Sequence, residues 1–248
     1  MSAEVRTSIG GDQGSQGAQE AAVTGFRLLR SDLQDRESFL FDMKCVAIGT
    51  VAWCLFYAVL RKFPSGKFSV NGKEVSDLMD KDLRNRIVSL CHALVCIVYS
   101  TYHYLYFNPP VCGSLNTTLH RQCLVFSMSY FIYDTLAMLY DGLMDGAMAI
   151  HHPLCIFAMY LPLYENTQGN FTMLAVYITE ISNPAMTSRH ILRLSGRRYT
   201  LAYEICEICY LALYIWGRAL SPWGIIYKTF VCEKNHVFFK LTCASLTL

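Results

Sequence analysis

Two adjacent histidines are the residues of this sequence best suited to chemistry. His151 and His152 lie inside an apolar run, residues 147–164, and directly precede Pro153. A neutral imidazole can act as a base, a nucleophile or a ligand. Pro153 favours a helix start or a kink here, and a helix N-terminus biases histidine toward the neutral form. Because successive residues of a helix point about 100° apart, we expect one histidine to act and the other to orient it.

Two carboxylates flank this histidine pair along the chain. Asp134 lies in the apolar run before it and Glu180 in the run after it. An ionisable side chain at membrane depth costs at least about 2.5 kcal/mol on insertion scales, so it faces a bundle interior or a cavity and marks a candidate functional site. Either carboxylate could fix the tautomer of a histidine, as in a hydrolytic triad. The four side chains therefore predict a polar cavity inside the membrane.

Helix packing is the alternative role for buried polar side chains. Hydrogen bonds between membrane helices contribute about 0.6 kcal/mol each and specify how the helices pack. For His92 and His103 in the second apolar run we favour this packing role. For the histidine pair and the two carboxylates we favour a functional cavity, because four such groups on three consecutive runs exceed what packing requires.

The composition indicates that these side chains lie in a membrane protein. The chain has 248 residues, of which 53% are hydrophobic and only 16% charged, whereas about 25% of the residues in a soluble domain are charged. Six apolar runs approach or reach the roughly 17 to 25 residues of a spanning helix. They are residues 45–60, 87–107, 123–140, 147–164, 171–192 and 199–220. The sequence thus predicts an all-α, multi-pass membrane bundle.

The two ends of the chain differ from this central part. Residues 1–38 are rich in Gly, Gln, Ser and Ala and have no apolar segment, so they are predicted to be a disordered tail rather than a signal peptide. Residues 39–84 then hold the first membrane helix and a basic loop, and residues 85–248 form the main domain. Residues 237–248 are a short apolar run, and we expect the chain to stop inside a seventh span.

The distribution of basic residues predicts the orientation of the spans. Residues 61–86 contain seven lysines and arginines and residues 189–198 contain four, whereas residues 108–122 contain only Arg121. Since basic loops remain in the cytosol, the N-terminus is predicted to be lumenal. The glycosylation pattern at Asn116 falls on the lumenal side, which makes Asn116 a predicted acceptor.

The cysteines are predicted to serve in packing and in one disulfide. Most of the eleven cysteines lie in apolar runs, where they act as small apolar groups. Cys206 and Cys209 have a metal-like spacing but lack a matching second pair, so no metal site is predicted. Cys112 and Cys123 flank the predicted lumenal loop and are able to form a disulfide there.

Several short stretches occur in the order and spacing typical of one membrane-protein family. They are residues 85–92, 130–134, 151–152 and 180–184, followed by Arg218 and Pro222. Together they resemble the TLC domain family, in particular its smaller TLC domain-containing proteins, across about residues 85–224. The resemblance implies a six-helix barrel around a lipid-accessible cavity, with an extra N-terminal helix. The cavity residues that it implies are Tyr130, Asp134, His151, His152, Glu180, Ser182, Asn183, His92 and Arg218.

One motif departs from the ceramide synthases within this family. Those enzymes follow the histidine pair with His-Asp-x-x-Asp, whereas this chain has Thr179, Glu180 and Asn183 at the corresponding positions. The first acid is retained as a glutamate, but the second is an amide and the histidine is a threonine. The resemblance therefore leaves open whether the protein is an enzyme.

These observations predict a protein of an internal membrane, the endoplasmic reticulum, that binds or senses lipid and adjusts membrane lipid composition. Its expected partners are membrane lipids and, in an oligomer, further copies of the chain, with no nucleic acid. One alternative is an acyl-CoA-dependent N-acyltransferase of ceramide-synthase type, with His151 or His152 as the catalytic residue and acyl-CoA as the donor in place of any resident cofactor. A second alternative is a cargo receptor or scaffold in which His151 serves only in packing.

Overall fold

A computed structural model gives the backbone of residues 13–63, 69–70, 73–74, 76–106 and 111–247, and the side chains of residues 35–63, 76–106 and 111–243. The helices are α1 (Gln13–Lys62), α2 (Asp77–Tyr106), α3 (Thr118–Asp141), α4 (Gly146–Glu165), α5 (Gly169–Glu180), α6 (Asn183–Leu194), α7 (Leu201–Tyr214), α8 (Ser221–Val231) and α9 (Val237–Thr247). A π-helical segment, Ile215–Leu220, joins α7 to α8. Two strands of two residues each, β1 (Ser69–Val70) and β2 (Lys73–Glu74), pair antiparallel between α1 and α2.

The predicted all-α membrane architecture is confirmed. Among the described residues, four helical segments are long and apolar enough to cross a membrane, namely Asp35–Lys62 of α1 and the whole of α2, α3 and α4. These four segments contain the first four predicted apolar runs except for residue 107. The fifth and sixth predicted spans are each divided into shorter helices, so neither is the single continuous α-helix that the sequence suggested.

The first helix begins earlier than residue 39, where the first membrane helix was predicted to start. Residues 13–38 of the predicted tail lie in α1, whose polar part contains strong helix formers such as Ala, Gln, Glu, Leu and Arg. Residues 1–12 of that tail lie outside the described residues. The chain divides into two compact units after Phe41, and the polar network described below belongs to the second unit.

Capping interactions set the start of α3 and α4 and so determine where the histidine pair lies. Thr117 and His120 form a reciprocal capping box at the start of α3, and Gly142 ends the helix in a left-handed conformation with φ 72°. Asp145 then caps α4 by accepting a hydrogen bond of 2.8 Å from the backbone N–H of Met148. The helix therefore starts at Gly146, and Pro153 lies inside it. Of the two outcomes expected of Pro153, a helix start or a kink, the helix start is wrong.

The fifth predicted span is divided because of Pro184. It lies in the first turn of α6, has no N–H to offer to the preceding turn, and its ring would clash with the carbonyl of Glu180 in a continuous helix. The chain therefore leaves the helix at Ile181 and Ser182, between two helices of 12 residues each. The last carbonyls of α5 are thereby released from continuous helical hydrogen bonding.

The described part of the hydrophobic core includes a cluster where α5 meets the last two helices. Phe171 and Ile178 of α5 pack with Ile225 of α8 and with Phe239 and Cys243 of α9, and all five side chains are buried. Helix α9 thus packs into the bundle through Phe239 and Cys243. It supports α5, the helix that carries Glu180.

The loop before α3 and the loop after α8 are joined covalently. Cys112 forms a disulfide with Cys232, 120 residues later. The predicted pairing of Cys112 with Cys123 is wrong, because Cys123 belongs to α3, where it is a buried free thiol. Leu115 and Thr167 add an isolated antiparallel bridge between the loops of the same region.

Asn116, the predicted glycosylation site, has a structural role between these loops. Its Nδ2 donates a hydrogen bond of 2.6 Å to the carbonyl of Pro162, and its Oδ1 accepts one of 2.7 Å from the N–H of Gly169. The side chain thereby connects the end of α4 to the start of α5. Glycosylation of Asn116 stays a prediction, and a sugar there would have to coexist with these two contacts.

Candidate functional site

A carboxylate and an imidazole are paired inside the helix bundle. Nε2 of His152 on α4 lies 3.2 Å from Oδ2 of Asp134 on α3, and both side chains are buried. Oδ1 of Asp134 accepts a hydrogen bond of 2.6 Å from Asn85 of α2, and Asn85 in turn accepts one of 2.9 Å from the hydroxyl of Tyr133. The arrangement favours a proton on Nε2, because a carboxylate orients a neighbouring imidazole through its N–H. Residues of α2 and α3 thus hold His152 of α4 in one orientation.

The neighbouring histidine faces a different part of the bundle. His151 lines a cavity between α3, α4, α5 and the π-helical segment, and its Nε2 lies 3.4 Å from the thiol of Cys155, one turn further along α4. The two histidines therefore do not face the same cavity, as the helical geometry predicted. His151 faces the cavity, whereas His152 is held by Asp134.

The cavity has one apolar part and one polar part. Its empty volume is about 450 Å³, which includes space open to the surroundings. The residues around it are Phe131, His151, Cys155, Met159, Thr172, Ala175, Val176, Thr179, Glu180 and Arg218. Phe131, Met159, Ala175 and Val176 provide apolar surface, while His151, Glu180 and Arg218 provide the ionisable groups. Such a division matches an amphipathic ligand better than a uniformly polar one.

Glu180 is the acidic residue of the cavity, and the break after α5 determines its contacts. Asn183, the first residue of α6, donates a hydrogen bond of 2.7 Å to Oε2 of Glu180. The same oxygen lies 3.8 Å from Nδ1 of His92 on α2. Ser182, between the two helices, is buried but does not line the cavity. Asn183 thus contributes to the site through Glu180.

His92 packs against an aromatic cluster. Its ring stacks on Tyr130, with centroids 4.0 Å apart and an interplanar angle of 10°. Its Nε2 lies 3.2 Å from both the hydroxyl of Ser127 and the thiol of Cys96, and Trp53 of α1 approaches the ring edge-on. Neither His92 nor Tyr130 lines the cavity. Both lie behind the site, where they support Glu180 and α3.

Arg218 is the cationic residue of the cavity and lies on the π-helical segment. Its Nη2 donates a hydrogen bond of 3.3 Å to the carbonyl of Thr179, and its guanidinium lies 5.8 Å from the ring centroid of Tyr214. The preceding residue, Gly217, allows this segment to approach α5, because a Cβ there would lie 2.3 Å from the carbonyl oxygen of Ile178. A π-helical turn often marks a functional site, and here it positions a guanidinium at the cavity.

The structure brings together most of the residues that the sequence singled out. His151, Glu180 and Arg218 meet at the cavity, and Asp134 and His152 form a pair beside it. Sequence reasoning did not assign Asn85 to the site, although it opens the stretch of residues 85–92 that carried part of the resemblance. It also treated Cys155 as a packing residue, although its spacing of four residues from His151 places both on one helix face.

The chemistry open to this arrangement is binding of an amphipathic molecule with polar contacts at one end. His151 can donate or accept a proton, Glu180 can accept hydrogen bonds, and Arg218 can bind an anion. The oriented histidine, His152, has its other nitrogen buried without a hydrogen-bond partner among the described residues, and it does not line the cavity. The acid–base pair is therefore adjacent to the cavity rather than exposed in it.

Comparison with known proteins agrees with this architecture. The TLC domain matches residues 82–247. TLC domain-containing protein 4 from Homo sapiens is 28% identical over 205 residues, which cover 78% of this chain and 76% of the relative. No solved structure matches the chain. With its membrane-length helices and a domain match over most of its length, the chain is an integral membrane protein that belongs to the TLC domain family.

Proposed function

We propose that this protein binds membrane lipid in the cavity between α3, α4, α5 and the π-helical segment, and that it contributes in this way to membrane lipid composition. The observation that carries the proposal is the division of the cavity surface. Apolar side chains such as Met159 and Val176 suit an acyl chain, whereas His151, Glu180 and Arg218 suit a polar headgroup. Since two of the walls of the cavity, α3 and α4, are membrane-length helices, lipid is the amphipathic molecule most abundant around it.

Burial of the polar residues supports a binding role. Ionisable side chains within a membrane are costly and are retained chiefly at substrate or ion sites. Glu180 is only 6% exposed, yet it lines a cavity together with Arg218 and His151. Packing of helices by itself needs neither an ionisable group nor an open volume beside it.

We assign the protein to the endoplasmic reticulum, with the loops near Cys112 and Cys232 in the lumen. A disulfide joins these cysteines, and disulfides persist in oxidising compartments such as that lumen. The basic segments of the chain, which include residues 189–198, are predicted to lie on the cytosolic side. The disulfide supports this orientation independently of the charge distribution.

The experiment is mass spectrometry of lipids that co-purify with the full chain in mild detergent. We expect a defined lipid class with the wild type and its loss from the double variant His151→Ala, His152→Ala. His236→Ala is the control, because His236 is exposed on a loop and lies 4.0 Å from Glu165. If the double variant, the His236→Ala control and the wild type retain identical lipids at equal thermal stability, the proposal is contradicted and a scaffold is favoured.

A second pair of variants tests the cavity by filling it. Ala175 lines the cavity, so Ala175→Phe places a ring in the proposed acyl-chain space. Ala202 on α7 is exposed, so Ala202→Phe adds the same ring on an outer surface. We expect lipid retention to fall only for Ala175→Phe. Equal retention in the two variants would show that lipid binds elsewhere.

Acyl transfer is a second candidate function, favoured by the pairing of His152 with Asp134 and by the approach of Cys155 to His151. In such a reaction the carbonyl carbon of a fatty acyl thioester would bond to an amine nitrogen while its bond to sulfur breaks and coenzyme A leaves as the thiolate. A histidine would take the amine proton and pass it to that thiolate. Incubation of the protein with an acyl-CoA and a sphingoid base tests it. An N-acyl product that is lost in His152→Ala would favour this function over binding alone.

A further inference from the structure

Among the residues that the structure describes, Arg218 has no carboxylate within ion-pairing distance, although it lines a cavity of the bundle. Within the described part of the chain its polar contacts are the backbone carbonyl of Thr179 and the ring of Tyr214, and its Nε is buried without a hydrogen-bond partner. A carbonyl at the end of a helix carries only a partial negative charge. The guanidinium therefore keeps most of its positive charge and several N–H donors available to a ligand.

The nearest acidic residue of the cavity is engaged elsewhere. Glu180 lines the same cavity, but its Oε2 accepts a hydrogen bond from Asn183 and lies 3.8 Å from His92. It forms no ion pair with Arg218 among the described residues. A charge at membrane depth normally pairs with an opposite charge or with backbone carbonyls. Among the described residues Arg218 has one such carbonyl and no carboxylate at ion-pairing distance, so its positive charge is only partly compensated.

We infer that this cavity selects lipids with an anionic headgroup, a carboxylate or a phosphate, and that Arg218 binds that group. The inference rests on the proposed lipid-binding function. The planar guanidinium offers parallel N–H donors that match two oxygens of a carboxylate or phosphate. The acyl chain then extends along Phe131, Met159 and Val176, away from the polar end.

The geometry of the π-helical segment supports this role for Arg218. Because Gly217 has no side chain, the segment can lie directly against the carbonyl of Ile178. The break after α5 leaves the carbonyl of Thr179 available to accept a hydrogen bond from Arg218. The guanidinium is thus held at one place on the cavity wall. A binding group that is already positioned loses less conformational entropy when its ligand arrives.

Binding of ligands that share one chain but differ in headgroup tests the inference. Oleic acid, oleoyl lysophosphatidic acid and the uncharged oleyl alcohol would be titrated separately against the full chain in lipid-free detergent micelles, with native mass spectrometry as the readout. We expect the wild type to bind at least one anionic ligand about tenfold or more tightly than oleyl alcohol, the effect of a charge-assisted hydrogen bond. Preference for oleic acid would identify a carboxylate as the ligand group, and preference for the lysophospholipid a phosphate.

Variants of Arg218 then connect the preference to this side chain. Arg218→Gln should lose the anionic preference and keep its affinity for oleyl alcohol, while Arg218→Lys should retain part of the preference because the charge remains. The control is Arg189→Gln. Arg189 lies 3.2 Å from the carboxylate of Glu207 and does not line the cavity. Unchanged preference in Arg218→Gln would overturn the inference, as would equal loss of all three ligands.

The wild-type titration separates failure of this inference from failure of the proposed function. Equal binding of the charged and uncharged ligands would leave lipid binding in place and overturn the anionic selectivity. Absence of binding by all three would overturn both. The wild-type comparison also decides the inference if Arg218→Gln does not fold, because headgroup selectivity is measured without any substitution.

Discussion

Arg121 of α3 and Asp42 of α1 form an ion pair in which Nη2 and Oδ2 lie 2.7 Å apart. Nearer the C-terminal end of both helices, Asp141 accepts a hydrogen bond of 2.5 Å from Tyr57 and lies 3.4 Å from Arg61. Asp42 thus pairs with the start of α3, and residues near the end of α1 pair with the end of α3. The part of α1 from Asp42 onward therefore runs parallel to α3, which agrees with their predicted orientation as the first and third spans.

Removal of Asp42 should destabilise the protein through Arg121. Asp42→Ala leaves a mostly buried guanidinium without its carboxylate, and we expect the free energy of unfolding to fall by about 3 kcal/mol. Denaturation of the purified protein in detergent micelles measures the change. Asp77→Ala is the matched control, because Asp77 pairs with Lys81 on the surface and such pairs contribute little. Equal effects of the two substitutions would contradict the importance of the buried pair.

Two glycines of the same region should respond in opposite ways to alanine. In Gly217→Ala the new Cβ would lie 2.3 Å from the carbonyl oxygen of Ile178, so the π-helical segment must move, at a cost of about 1–3 kcal/mol. Gly224→Ala meets no atom within 4 Å in α8 and should stabilise that helix by about 0.5–1 kcal/mol. Thermal unfolding of both variants beside wild type checks the prediction. A neutral Gly217→Ala would show that the segment is free to shift.

Asp134→Asn should loosen the polar network around His152. The two carboxylate oxygens of Asp134 contact the amide nitrogen of Asn85 and Nε2 of His152. The asparagine side chain has only one oxygen, so one of these two buried contacts is lost. We expect the free energy of unfolding to fall by about 1–3 kcal/mol and lipid retention to decrease. Asp145→Asn is the control, since asparagine caps a helix as well as aspartate does. Equal stability of the two variants would argue against a structural role for the Asp134–His152 pair.

The disulfide should make stability sensitive to reductant. We expect Cys112→Ser to lower the free energy of unfolding by about 2–5 kcal/mol, and reductant to lower the stability of wild type while leaving this variant unchanged. Cys123→Ser should keep the disulfide, because Cys123 is a free thiol. Peptide mapping without reduction, together with thermal unfolding, measures both effects. A peptide that links Cys112 to Cys123 would contradict the observed pairing.

The sequence predicted α2, α3 and α4 well because length and hydropathy determine a membrane helix almost independently of its neighbours. It did not predict the division of residues 171–192, where apolar composition continues across the break at Ile181 and Ser182. Pro184 was the local signal, but a proline can also be accommodated inside a membrane helix, as Pro153 and Pro162 are in α4. Only the packing of the surrounding helices decides between these outcomes.

The partners of individual side chains were harder to predict than their burial. The sequence placed Asp134 and His152 at a similar depth, which their pairing satisfies, but it gave no reason to choose Asn85 as the third member. It paired Cys112 with Cys123, at the other end of the predicted lumenal loop, whereas the observed partner, Cys232, lies 120 residues away. Contacts between distant segments depend on how the helices are arranged around one another, which periodicity and spacing do not specify.

The break after α5 also places a helix end, with its partial negative charge, inside the bundle. The carbonyl of Thr179 accepts from Arg218 through the main chain, so the acceptor does not depend on which side chain occupies position 179. Alanine scanning of α5 would leave it intact and would give no sign of its contribution. A change that joins α5 and α6 into one continuous helix would remove it, so the acceptor for Arg218 depends on the interruption of the backbone rather than on any side chain.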